Sequence, residues 1–329
     1  MLFLKKFRVP MYGKMFCFLL LGLAVGLMIS QFIQYKNTQC YGKYSFINAQ
    51  EICGKSPVIS KVGYIATQNK IEAFIAGEKA TGHLTDAAVY FRDLENGPIF
   101  GIEEDVEFAP ASLLKLPLAL VYLTQAERNP EILQEQASVA NPQWSFTQTF
   151  PSAEEINPNA PHTIENLLMR MIAYSDNNAY GVLQTHLYDI GQQALIPKTF
   201  LELGFIDPKS INDEVLSVRR YASIFRALYN MSYLNVDLSE RLLSWLSQSD
   251  FTQGLRGGVP ESIVISHKFG ERFTEDGKKQ LHDCGIVYYP DNPYLLCVMT
   301  RGTNFEDLST VIQHISGEVY QEVDSRRIR

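Results

Sequence analysis

APASLLKLPLALVYLTQA, Ala109–Ala126, sets a short Pro-containing entry against a long apolar run, and its spacing predicts a helix over Leu113–Ala126 entered through Ala109-Pro110-Ala111-Ser112. Ser112 and Lys115 stand three residues apart. A hydroxyl at the helix start therefore has an amine one turn later on the same face, the geometry a lysine needs to take the proton of a serine nucleophile. The helix N-terminus also favours negative charge developing there. In the plainer reading Ser112 caps the helix and Lys115 is solvated. Against that, Lys115 sits among Leu113, Leu114, Leu116, Leu118 and Leu120, where a charge is costly to bury. Because S-x-x-K is expected about once by chance in a chain of this length, the stretch needs companions.

Working outward, helical spacing marks Ile65–Ala80 upstream, and strands are expected at Ala87–Asp93 and Ile99–Ile102 around Glu95-Asn96-Gly97-Pro98. Downstream, the Pro/Asn/Thr-rich stretch Asn141–Pro161 reads as loop. Helical patterns follow at Thr163–Ala173, Asn177–Leu187, Pro197–Leu203, Val218–Tyr229 and Glu240–Gln248, the last with Ser239 as its N-cap. Strands return at Ser262–Lys268, Cys284–Tyr289 and Tyr294–Thr300, before an amphipathic helix over Phe305–Val319. This order implies an α/β fold: an antiparallel sheet whose strands come from both ends of the domain, with a helical block inserted between them.

Two further motifs accompany the first. Ser175-Asp176-Asn177 lies at the junction of two expected helices, where a hydroxyl and an amide on one turn can relay a proton and hydrogen-bond a substrate amide; plain N-capping of the second helix is the alternative. His267-Lys268-Phe269-Gly270 ends an apolar strand. Lys268 there can attract a substrate carboxylate and Gly270 can let a substrate backbone approach, whereas a solvated strand terminus is the bland alternative. S-x-x-K, then S-D-N 63 residues later, then K-x-G 93 residues after that, form an ordered set tied to one mechanism.

Composition narrows the class. The first 36 residues hold five of the 29 Lys/Arg and no Asp/Glu, so the remaining 293 set 24 basic against 36 acidic side chains, a net of −12, which excludes a nucleic-acid footprint. Lys5, Lys6, Arg8 and Lys14 precede the apolar run Met15–Ile33, long enough to span a bilayer, and the charge bias leaves the N-terminus in the cytoplasm. The expected organisation is a basic segment 1–14, a membrane anchor 15–33, a tether 34–60, a globular domain 61–320 on the far side of the cell membrane, and a tail 321–329. A cleavable signal peptide competes, without a small-x-small cleavage site to support it. Cys40 and Cys53 can close a 14-residue loop in a compartment where disulfides persist. Cys284 and Cys297, on two strands around Pro290-Asp291-Asn292-Pro293, read as buried free thiols. No Cys or His grouping has zinc spacing, and neither a metal nor a cofactor is expected.

From about residue 60 to 320 the chain resembles the class A β-lactamases and the related penicillin-binding D,D-peptidases. The likeness rests on the three motifs, on Thr163–Leu168 leading into Tyr174–Ala179, and on Gly254-Leu255-Arg256-Gly257-Gly258-Val259-Pro260 before the third motif. It implies a five-stranded antiparallel sheet with terminal helices beside a mostly helical subdomain, the site lying in the cleft between. It implies Ser112 as the acylated nucleophile, Lys115 as proton acceptor or activator, and Ser175 as proton relay to the leaving nitrogen. Asn177 would bind the substrate amide, and Lys268 would supply positive potential for the substrate carboxylate. The N–H groups of Ser112 and Glu271 would form the oxyanion hole, where losing a donor typically slows reaction by about 10²- to 10³-fold. The implied substrate is a β-lactam or a peptidoglycan-type peptide.

Two departures from that pattern stand out. Phe269 replaces the hydroxyl residue between Lys and Gly, removing a group that would hold a carboxylate. Only Phe205–Ser217 joins the two flanking helices, with no E-x-x-L-N pattern for a water-directing glutamate; its carboxylates are Asp207, Asp213 and Glu214. The expectation is an anchored, extracytoplasmic serine hydrolase with slow deacylation. The alternative is a catalytically idle cell-wall or peptide binding module with the same fold, against which the joint retention of Ser112, Lys115, Ser175, Asn177 and Lys268 argues.

Overall fold

Period-two alternation of apolar side chains near both ends of the domain builds one sheet. The computed structural model describes residues 21–31, 43–53, 63–95, 97–144, 148–152, 155–204, 215–274 and 276–326. The strands of that sheet are β1 (Leu84–Asp93), β2 (Ile99–Ile102), β3 (Ile265–Phe273), β4 (Lys279–Val287) and β5 (Tyr294–Gly302). They pair antiparallel in the order β2-β1-β5-β4-β3, so the first strands and the last meet at the β1–β5 ladder and β3 forms an edge.

One face of the sheet is covered by the terminal helices α1 (Ile65–Thr81) and α8 (Phe305–Ser325). Val89, Phe91, Leu296 and Val298 pack there with Ile71, Ile75, Leu308, Ile312 and Ile315, all buried. Helix α1 stops at Gly82, whose φ of +81° suits a left-handed C-cap that returns its N–H to Lys79 O. The chain between β2 and β3 supplies the helical block: α2 (Lys115–Ala126), α3 (Ile164–Ala173), α4 (Asn177–Asp189), α5 (Leu195–Glu202), α6 (Val218–Tyr229) and α7 (Val236–Leu246). Helix α6 packs against β5 and β4. Its residues Tyr221, Ala222 and Phe225 are buried.

Several boundaries differ from expectation for local reasons. Helix α7 starts at Val236 because Asn235 Oδ1 accepts from Leu238 N at 3.0 Å, while Ser239, the expected cap, lies inside the helix and donates to Leu234 O. Strand β3 starts later and runs five residues past Lys268, since Phe269 through Phe273 continue the register with Asp283 through Lys279. Helix α8 continues to Ser325, into the expected tail.

Cys284 and Cys297 are not free thiols but a disulfide. Val287 faces Tyr294 across the hairpin, and counting three residues back along each strand brings the two cysteines opposite one another on the same face of the sheet. Reading Pro290–Pro293 as one four-residue turn obscured that register.

The chain divides into two units. Residues 1–45 and 49–56 form the first, described as a helix over 21–31 with exposed Leu21, Leu23, Leu27, Met28 and Ile29, and a short helix Ala49–Cys53. The second, residues 46–48 and 57–329, holds the sheet and the eight labelled helices. Among the described residues no helix is long and apolar enough to cross a membrane. Residues 15–20 and 32–33 of the expected anchor lie outside the described residues, as does Cys40; Cys53 is disulfide-bonded.

Candidate active site

The turn carrying Ser112 is held from three directions. Ala111 adopts φ +50°, left-handed backbone that a non-glycine residue occupies only when its surroundings enforce it, and Ser112 follows in a single 3₁₀ turn, Ala111–Leu114, that runs into α2. Two hooks on β4 grip Ala109, two residues before Ala111. Gln280 Oε1 accepts from Ala109 N at 3.0 Å, and His282 Nε2 meets Ala109 O at 3.1 Å. The carbonyl can only accept, so His282 is the donor. Burial lowers this imidazole to about 4, keeping it neutral. From α6, the buried Tyr221 hydroxyl donates to Leu113 O at 3.1 Å.

Lys115, one turn beyond Ser112, is 2% exposed. Its Nζ donates to Ser175 O at 2.5 Å, Ser175 Oγ at 3.1 Å and Asn177 Oδ1 at 2.6 Å, and lies 6.0 Å from the centre of the Tyr180 ring. Lys268, 1% exposed, donates to the same Ser175 Oγ at 2.9 Å and to Phe269 O at 3.0 Å. Two amines thus share one hydroxyl. Burial first, and the charge of Lys268 second, hold Lys115 well below its ordinary range. Burial lowers Lys268 to about 7, while Asp283 and Asp250 favour its ammonium form. Both amines are thus held below the ordinary lysine range, and a charge on Lys268 disfavours one on Lys115.

Ser175 is aimed by backbone rather than by capping. Its φ is +53°, and the N-cap of α4 is Asp176, whose Oδ1 accepts from Ala179 N at 3.0 Å and whose Oδ2 accepts from Ile156 N at 2.9 Å. The capping alternative for this motif is thus filled by Asp176, which frees the Ser175 hydroxyl for the lysines.

Ser112, Lys115, Asn177, Phe269 and Glu271 line one cleft of about 420 Å³. Lys268 is not on its wall but sits behind, against Ser175. The carbonyl end of Asn177 is committed to Lys115, leaving its amide N–H₂ as the group it offers outward. Gly270 serves a different close approach from the one expected. A β-carbon there would stand 3.1 Å from Pro110 O and 3.2 Å from Leu113 N, so the missing side chain makes room for the chain's own Ser112 turn. The Glu271 carboxylate accepts from Thr149 N at 3.0 and 2.8 Å and from Phe150 N at 2.9 Å, tying the segment 148–152 over the end of β3. Phe269 lies flat on Phe251, centroids 4.0 Å apart, and edge-on to Phe150.

Sequence reasoning missed Gln280, His282 and Tyr221, which reach the Ser112 turn from more than 100 residues away. Tyr180 was within reach, one turn beyond Asn177 on α4. Asp207, Asp213 and Glu214 lie outside the described residues. Among the described residues no group of three or more His, Cys, Asp or Glu side chains could hold a metal ion.

A model of the β-lactamase enzyme family matches residues 66–323. The β-lactamase VEB-1 of Pseudomonas aeruginosa is 23% identical over 244 residues, 66% of this chain and 77% of that protein. Among solved structures, a PBP-A mutant captured as an acyl-enzyme complex with penicillin G superposes with a TM-score of 0.66 at 22% identity, covering 82% of this chain and all of that one. A class A β-lactamase from Mycobacterium abscessus gives 0.62 at 20% identity, covering 78% and 99%. The two structural likenesses extend over both the sheet and the helical block.

Proposed function

Because the chain belongs to the β-lactamase enzyme family and is a serine hydrolase, we propose that it acts by acyl transfer, with Ser112 attacking a β-lactam or a cell-wall D-peptide amide. The observation that supports this reading most is the hydrogen-bonded series Asn177–Lys115–Ser175–Lys268, whose first two members line the cleft with Ser112. Lys115 as a neutral amine takes the Ser112 Oγ proton while Oγ bonds to the amide carbon. The negative charge that develops on the carbonyl oxygen is met by N–H groups at Ser112 and on the edge strand at Glu271. Collapse breaks the C–N bond, and the proton passes from Lys115 through Ser175 to the leaving nitrogen, with Lys268 holding Ser175 in place.

Deacylation makes a separate demand, since a base must direct water at the acyl carbon. Glu271 is the carboxylate on the cleft wall among the described residues, and its oxygens already accept three hydrogen bonds. With no E-x-x-L-N pattern in Phe205–Ser217 for a water-directing glutamate, the acyl-enzyme of this reading is long-lived. Covalent labelling by a fluorescent penicillin tests the assignment: Ser112→Ala abolishes it, and Lys115→Ala slows it by about 10²-fold or more with the fold retained. Undiminished labelling of Ser112→Ala would place the nucleophile elsewhere.

The cationic flank before Met15 supports a membrane-anchored protein with its catalytic domain outside the cytoplasm. A C-terminal reporter is then protease-accessible from outside intact cells, and a mature N-terminus beginning beyond Ile33 would show that the anchor is cleaved.

A further inference from the structure

A second cavity of about 460 Å³ lies at the C-terminal end of α2, the opposite end from Ser112, and shares no residue with the Ser112 cleft. Twelve helical residues set the two ends of α2 about 18 Å apart. The walls come from the last turns of α2, the segment around the 3₁₀ turn Pro130–Gln134, the junction of α4 with α5, α5 itself and Tyr233 ahead of α7. Its volume is that of a small-molecule pocket.

The lining selects a chemical class. Arg128 and Lys198 are balanced by Glu135 and Glu202, so the walls carry no net formal charge, and Lys198 Nζ already lies 3.9 Å from Glu202 Oε1. An ion gains little there. What the walls offer instead is a set of groups that both donate and accept: the side-chain amides of Gln125, Asn129 and Gln192 and the hydroxyls of Thr199 and Tyr233. Gln125 Nε2 donates to Val121 O at 3.3 Å, which leaves its carbonyl oxygen to another partner. Gln192 Oε1 is buried and has no hydrogen-bond partner among the described residues. A buried acceptor left without a donor is costly, and a ligand O–H or N–H relieves that cost. Ile190 and Leu195 add apolar surface beside these amides. A sugar ring presents the complementary mixture, with hydroxyls that donate and accept around its rim and C–H groups on its face.

We propose that this cavity binds a neutral sugar, with the amides of Gln125 and Gln192 meeting its hydroxyls and Ile190 and Leu195 packing on its ring. The site stands independently of acyl transfer at Ser112. Saturation-transfer NMR titrations on the full chain, kept in a detergent without a sugar headgroup, measure binding of N-acetylglucosamine, of the cationic glucosamine and of the anionic N-acetylglucosamine 6-phosphate. The neutral sugar is expected to bind saturably and at least fivefold more tightly than either charged relative. Gln192→Ala weakens it at least fivefold, and Leu195→Trp, which fills the cavity, abolishes it, with cooperative urea unfolding retained; each variant decides alone should the other not fold. No saturable binding of N-acetylglucosamine, equal or tighter binding of a charged sugar, or undiminished binding in either folded variant would overturn the assignment.

Discussion

Two buried lysines that share one hydroxyl titrate in a way that catalysis can report. Lys115 must be neutral to accept a proton, and its environment holds it well below the ordinary lysine range; Lys268 stays cationic only below about 7. Acylation is therefore expected to fall on the alkaline side with a midpoint near 7, and Lys268→Arg, which cannot deprotonate, moves that limb upward. A pH profile of the second-order acylation rate that stays flat from pH 6 to 9 in the parent protein would contradict this. The same shift has a thermodynamic sign. The unfolded chain binds the Lys268 proton more tightly than the folded chain, so between about 7 and the unfolded lysine pKa the Lys268 contribution to stability rises with pH. Urea unfolding at pH 7 and pH 9 checks it, and Lys268→Met is expected to flatten the slope. Ser112, Lys115, Ser175, Asn177 and Lys268 were legible in the sequence because each belongs to a local motif. The grip of Glu271 on Thr149 and Phe150 was not, because its partners lie 122 and 121 residues away in a stretch without regular structure.

Between the residue and the fold stand the elements that hold the Ser112 turn against β3. Gly270→Ala pushes a methyl group to 3.1 Å from Pro110 O, where backbone has to yield, so acylation is expected to drop about tenfold or more while destabilisation stays in the 1–3 kcal/mol range usual for overpacking. Comparing labelling rate with the urea midpoint separates the two effects, and an unchanged rate would show that the contact is slack. Tyr221→Phe removes one buried donor to Leu113 O and is expected to lower stability by about 1–3 kcal/mol, read from the same midpoint. Helix and strand identities were legible from period and turn residues. The length of β3 was not, because Gly270-Glu271-Arg272 interrupt the apolar alternation and are kept in the strand by register with β4.

At the scale of the whole molecule, a sheet completed by strands from both ends of the domain makes the helical block an insertion, and the cleft lies where the α2 entry meets the edge strand β3. That architecture was legible in the order of elements. The Cys284–Cys297 bridge was not, since it depends on hairpin register rather than composition. In the proposed reaction Ser112 is acylated and the acyl-enzyme outlives the chemistry that forms it. A time course of intact mass after mixing the full chain with benzylpenicillin tests this most directly. Rapid gain of one whole penicillin mass is expected, since the ring-opened nitrogen stays attached, followed by slow decay, with no gain in Ser112→Ala. Multiple turnover without an accumulating adduct, or an adduct on Ser112→Ala, would contradict it.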